Sequence, residues 1–179
     1  MSKIGKKIIS VPKDSKVAIQ GNSVTVTGPK GTEKILFNEK VFSSKVNDKN
    51  EFMISPLKKD KSSSAMWGTY RSLINNAIFG VTKGHEKNLE LSGVGFKVAQ
   101  QGDELKLKLG FSHEAIYKVP KGINIKIEKQ TKINIAGTDK SLVSKVASEI
   151  KSLKPVEPYK AKGIKEKGQY ILRKEGKKK

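Results

Sequence analysis

The chain has 179 residues, enough for one or two domains, and its 37 Lys and Arg against 17 Asp and Glu give a formal net charge of +20, a self-repulsion that points to a polyanionic partner. It has no cysteine, which excludes disulfides and thiolate metal centres, and no run of about 18 apolar residues, so no membrane span is expected. Arg71 and Arg173 are the only arginines; lysine acts as a mobile point charge where arginine reads base edges in bidentate fashion, so contact with phosphate and shape is favoured over sequence-specific duplex reading.

Residues 1–10 read as a short basic arm, with Lys3, Lys6 and Lys7 around Gly5. The arm lacks an apolar core long enough for secretion, so a cytoplasmic protein is expected. Residues 17–19 and 24–26 alternate apolar with polar around Gly21-Asn22, a hairpin pattern. Gly28-Pro29-Lys30-Gly31 reads as a second turn, and residues 35–37, 41–42, 46 and 52–54 as further short strands. Asp60 and the serines after it predict a helix cap. Met66, Tyr70, Leu73, Ile74, Ala77 and Ile78 then recur at helical spacing as one apolar face, with Gly80 and Gly84 flanking its end.

The pattern then repeats. Val17, Ala18 and Gly21 match Val98, Ala99 and Gly102 at a shift of 81 residues, and at the same shift Val24 and Val26 meet Leu105 and Leu107, and Phe52 and Ile54 meet Ile133 and Ile135. Asp60-Lys61-Ser62 meets Asp139-Lys140-Ser141 at a shift of 79, each ahead of a helix; the second helix has an apolar face of Leu142, Val146, Ala147, Ile150 and Leu153. Short alternating strands match one another by chance, but the shared order of hairpin, strands and helix favours a tandem duplication. The expected fold class is α+β: two similar domains, each a small antiparallel sheet packed with one helix. The expected divisions are residues 1–82, the first domain with its basic arm; 83–153, its repeat; and 154–179, a basic C-terminal extension.

From Lys151 to the end there are eleven basic residues and three acids. Pro155 and Pro158 exclude a regular helix at the start of this segment, so it is expected to leave its domain as extended chain. One reading is a solvated tail. Tyr159, Ile164, Tyr170, Ile171 and Leu172 count against it, and a polyanion would reward such a segment through counterion release. Lys160 and Lys162, two apart, fall on one side of an extended chain and so face adjacent phosphates, while Gly163 permits close approach. Tyr159 either stacks on a base or sugar or anchors the tail on its own domain.

Catalysis finds little support. The histidines are His85 and His113, and Ser112-His113-Glu114 is a run of neighbours, whereas a triad needs convergence in space. Clustered metal ligands are absent from the pattern. Ser92-Gly93-Val94-Gly95-Phe96 lacks the spacing of a dinucleotide or phosphate loop; it reads as a kinked or bulged strand, or as glycine backbone open to a nucleic acid. Charge alone would also allow a free nucleic-acid chaperone, and an enzyme acting on a phosphorylated substrate would need convergent groups that the pattern does not offer.

Pro155, Glu157-Pro158-Tyr159-Lys160-Ala161-Lys162-Gly163-Ile164, together with Ser2-Lys3-Ile4-Gly5-Lys6-Lys7, Gly28-Pro29-Lys30-Gly31, Leu73-Ile74-Asn75-Asn76, Gly80-Val81-Thr82-Lys83-Gly84, Glu86-Lys87, Leu89-Glu90-Leu91, Gly93-Val94-Gly95, Leu109-Gly110-Phe111-Ser112-His113 and Arg173-Lys174-Glu175-Gly176-Lys177, resemble the signatures of bacterial-type large-subunit ribosomal protein six along nearly the whole chain. Val156 stands where that family usually has a second proline, Lys165-Glu166 where a basic residue and a tyrosine are usual, and Gln169 where an acid is common. Glu166 sets an anion beside the lysines. The resemblance implies two similar α+β domains and binding to large-subunit ribosomal RNA, mainly through the C-terminal half. It also implies a place near the sarcin–ricin loop, at the base of the stalk where translational GTPases dock, beside neighbouring large-subunit ribosomal proteins. The implied role is architectural, with no reaction, cofactor, metal or membrane. The RNA-binding residues expected on this basis are Lys154, Tyr159, Lys160, Lys162, Gly163, Lys165, Arg173, Lys174, Lys177 and Lys178.

Overall fold

The computed structural model describes residues 3–47, 50–58 and 60–176. They fall into two compact units: residues up to His85 with Thr138–Lys140, and Glu86–Gly137 with Ser141 onward.

In the first unit the alternating segments pair as expected. Strands β2 (Lys16–Gln20), β3 (Ser23–Gly28) and β4 (Gly31–Leu36) form an antiparallel sheet in that order. Gly21 takes φ +50 in the first hairpin turn, a conformation that costs a side-chain-bearing residue about 1–2 kcal/mol. A second sheet has the order β1 (Ile9–Ser10), β6 (Glu51–Pro56), β5 (Phe42–Asn47). Here the basic arm differs from expectation: Ile9 pairs with Phe52 and is buried, and Gly5 packs against the Trp67 ring. Two residues are too few to display a strand period, so β1 left no pattern in the sequence.

Helix α1 (Lys61–Thr82) begins at Asp60, whose N–H donates to Ser63 Oγ at 3.1 Å. It ends at Gly84, whose φ of +83 lets its N–H reach Phe79 O. Its buried face differs from the one expected. Trp67, Ile74, Ala77, Ile78 and Val81 are buried, whereas Met66 and Leu73 are exposed. Two close contacts fix the rotation. Trp67 Nε1 donates to Ile54 O at 2.7 Å, and at Gly80 a Cβ would lie 2.0 Å from Thr138 O.

The second unit repeats the plan. Strands β8 (Lys97–Gln101), β9 (Glu104–Lys108) and β10 (Ala115–Lys118) form one sheet. Strands β11 (Ile123–Glu128), β12 (Lys132–Gly137) and β7 (His85–Ser92) lie side by side in another, as β5, β6 and β1 do. Helix α2 (Lys140–Leu153) buries Val143, Val146, Ala147 and Ile150, with Leu142 and Leu153 at the margin of the core. Residues 93–96 form a turn between β7 and β8, with Gly95 at φ +75, not a bulge within a strand.

The second unit has a strand for which the first has no counterpart among the described residues. Strand β13 (Gly163–Glu166) pairs antiparallel with β7 and forms the fourth strand of that sheet. Its Ile164 is fully buried. The C-terminal segment therefore does not simply leave the domain: four of its residues complete the sheet. No helix among the described residues is long and apolar enough to cross a membrane.

Candidate nucleic-acid interface

Pro155 follows α2 closely and cannot continue it. The chain turns at Lys154, runs through a loop over residues 155–162 and returns as β13. Three backbone hydrogen bonds hold the loop: Glu157 N–H to Lys162 O at 2.8 Å, Ala161 N–H to Glu157 O at 3.0 Å, and Ile164 N–H to Lys154 O at 3.0 Å. Gly163 has φ +142, and a Cβ there would lie 2.7 Å from Pro155 O and from Val156 Cα. Only glycine fits, and its place in the site is to let the strand lie against the start of the loop. Ala161 takes φ +55, an uncommon conformation for a residue with a Cβ.

The loop presents Tyr159, which is 53% exposed, with Lys160 and Lys162 also exposed. Beyond β13 the chain turns at Gly168 (φ +80) and doubles back, and Lys174 N–H donates to Pro158 O at 3.0 Å. That bond brings the exposed Arg173 and Lys174 beside Tyr159 and Lys160, although they are far along the chain. Lys154 stands at the loop's base with its Nζ 4.3 Å from the centroid of Phe111. Lys177 and Lys178 lie outside the described residues.

Lys165 has a different setting. It faces Glu90, its neighbour across the strand pair, with Nζ 3.7 Å from Oε2. Glu166, the anion that stood out in the sequence, accepts from Lys87 at 2.7 Å and Lys151 at 3.0 Å. These hydrogen bonds hold its carboxyl below the ordinary carboxylate range. Glu166 is thus paired with Lys87 of β7 and Lys151 of α2. Gln169 Oε1 in turn accepts the Glu166 N–H at 3.2 Å, closing the end of β13.

The histidines have structural surroundings. His85 Nε2 lies 2.9 Å from Asn76 O, and His113 is exposed with its ring nearly parallel to Phe111. Among the described residues no group of three or more His, Asp or Glu is placed to hold a metal ion. Phe111 is the residue that sequence reasoning left out of the site; its signal was an aromatic in the motif 109–113, with nothing to say that Lys154 would meet it.

Two similar α+β repeats, the second followed by an exposed cationic loop, define the class to which this protein belongs. The sequence profile of the family described as ribosomal protein L6 matches residues 11–84 and 92–167, so both repeats lie within it. The large ribosomal subunit protein uL6 of Nitratiruptor is 46% identical over 177 residues, covering 99% of this chain and 98% of that protein. The uL6 proteins of Bartonella henselae and Beijerinckia indica are 46% and 42% identical, each with 100% of both chains covered. The chain belongs to the ribosomal protein L6 family.

Proposed function

We propose that this chain grips large-subunit ribosomal RNA through the loop 155–162 and the segment folded back on it. As a member of its family it is a structural, non-catalytic constituent of the large subunit of the cytoplasmic ribosome, with ribosomal RNA and ribosomal proteins as partners. The finer reading assigns phosphate contacts to Lys154, Lys160, Lys162, Arg173 and Lys174, with Tyr159 positioning the chain. Lys165, shared with Glu90, contributes less, and Gly163 shapes the loop. Lys177 and Lys178 extend the same basic run. The observation that carries this reading is the Lys174 N–H bond to Pro158 O, which gathers charges from two parts of the chain around one exposed tyrosine.

The test is a filter-binding titration against large-subunit ribosomal RNA over a range of salt. Lys160→Glu with Lys162→Glu is expected to weaken binding and flatten the log–log salt slope by about 1–2, because each lost phosphate contact removes somewhat under one released counterion. An unchanged slope would overturn the assignment.

We further propose a place near the sarcin–ricin loop, beside the docking site of translational GTPases. The support is the resemblance of residues 155–164 to the family's signature. The chain has no native cysteine, so Tyr170→Cys, at a position 84% exposed, gives a unique anchor for a tethered hydroxyl-radical source. Cleavage in assembled subunits is expected around the sarcin–ricin loop; cleavage confined to other regions would reject that location.

A further inference from the structure

An open groove of about 590 Å³ lies in the second unit between the turn after β7, the turn after β9 and the end of α2. Its size falls in the range of about 300–1,000 Å³ usual for small-ligand sites. Phe96 and Leu109, both buried, belong to its apolar side. Gly110, at φ +74, turns the chain at the groove wall beside the Phe96 ring. Phe111 stands at the groove 43% exposed, its ring 17° from parallel with His113 at a centroid separation of 6.2 Å. Lys154, Lys162 and Glu157 supply two ammonium groups and a carboxylate to the same groove.

We propose that this groove holds one unpaired nucleotide of the ribosomal RNA, its base against Phe111 and its phosphate between Lys154 and Lys162. The inference rests on the RNA-binding reading above and names the part of the RNA that enters. An aromatic face takes a nucleobase by stacking, and two mobile ammonium groups take a phosphate. The Glu157 carboxylate accepts from an exocyclic amino or ring N–H of the base, a donor that the phosphate lacks. A paired base is excluded, because its faces are covered by its neighbours in the helix. Lys154 Nζ now covers the Phe111 ring at 4.3 Å; on binding, its flexible stem carries the charge from ring to phosphate while the base takes its place.

The experiment uses the full chain and large-subunit ribosomal RNA. Phe111→Ala and Phe111→Leu are expected to weaken binding by about 5- to 150-fold with the salt slope unchanged, since stacking releases no counterions. Phe111→Trp is expected to restore it. Phe111→Leu keeps an apolar side chain at the groove, and an unchanged thermal midpoint separates lost stacking from lost folding. A photoreactive phenylalanine analogue at position 111 in assembled subunits is expected to link to a single unpaired nucleotide. Wild-type affinity in Phe111→Leu, while Lys160→Glu with Lys162→Glu still weakens binding, would overturn the groove and leave the RNA-binding loop standing. A crosslink to a base-paired nucleotide or to a neighbouring protein would overturn it as well. If the lysine variant also bound normally, the underlying RNA reading would fall with it.

Discussion

Glu166 and Lys87 meet at 2.7 Å across the edge of the sheet, and the second Glu166 oxygen meets Lys151 of α2 at 3.0 Å. One carboxylate thus fastens β13 to the neighbouring strand and to the helix. Its pKa is lowered, chiefly by the hydrogen bonds from Lys87 and Lys151, relative to an ordinary value of about 4.5. A group whose folded pKa is depressed contributes stability that is fully present above its unfolded pKa and is lost as pH falls through the folded one. Urea unfolding is therefore expected to show a contribution that is constant near neutrality and fades below about pH 4.5. Glu166→Gln removes that dependence. Both ion pairs are partly exposed, so the loss at pH 7 is expected to be about 1 kcal/mol. Equal acid sensitivity in the variant and wild type would refute the assignment.

Gly163 faces Pro155 and Val156 too closely for any side chain. Gly163→Ala places a methyl 2.7 Å from backbone at φ +142. Backbone cannot yield as a flexible side chain does, and strain of this kind costs on the order of 1–3 kcal/mol. The variant is expected to unfold at lower temperature, and hydrogen exchange at Ile164 N–H, bonded to Lys154 O, is expected to accelerate. Wild-type protection at that amide would show that the loop tolerates a side chain there.

Ala161 presents the opposite case. It already occupies φ +55, which disfavours a side chain by about 1–2 kcal/mol, offset in part by the greater freedom glycine has when unfolded. Ala161→Gly is expected to raise stability by up to about 1 kcal/mol in a denaturation curve and to leave RNA affinity unchanged, since neither lysine moves. A destabilised variant would contradict the local strain.

The duplication was legible because its signal is carried by period-two strands, and Val17 to Gly21 and Val98 to Gly102 keep their spacing. The face of α1 was not. Met66 and Leu73 are as apolar as the residues that are buried, and only contacts from elsewhere decide the rotation: Ile54 O on Trp67 and Thr138 O on Gly80. The docking of β13 was hidden for another reason. Its four residues contain one large apolar side chain, Ile164, and the rest of its attachment is backbone pairing with β7 and charges on Lys87, Glu90 and Lys151. At the candidate interface the lysines stood out by composition. Pairing of Lys165 with Glu90, the return of Lys174 to Pro158 and the meeting of Lys154 with Phe111 depend on partners distant in sequence, which no local spacing encodes.

Trp67, the only tryptophan, offers a probe of the first unit that is independent of the basic loop. A Cβ at Gly5 would lie 2.5 Å from Trp67 Cδ2, inside any tolerated separation, and the ring is held in place by its Nε1 bond to Ile54 O. Gly5→Ala must therefore displace either the ring or the arm. Overpacking of this kind typically costs about 1–3 kcal/mol. The variant is expected to show a red-shifted tryptophan emission and a lower thermal midpoint, because displacement of the arm opens a buried indole to water and loosens Ile9 from its pairing with Phe52. The salt slope of RNA binding is expected to stay at its wild-type value, as no phosphate-contacting lysine is altered. Unchanged emission and stability would mean that the arm does not pack on Trp67; a changed slope would mean that the arm's own lysines, Lys3, Lys6 and Lys7, take part in holding RNA.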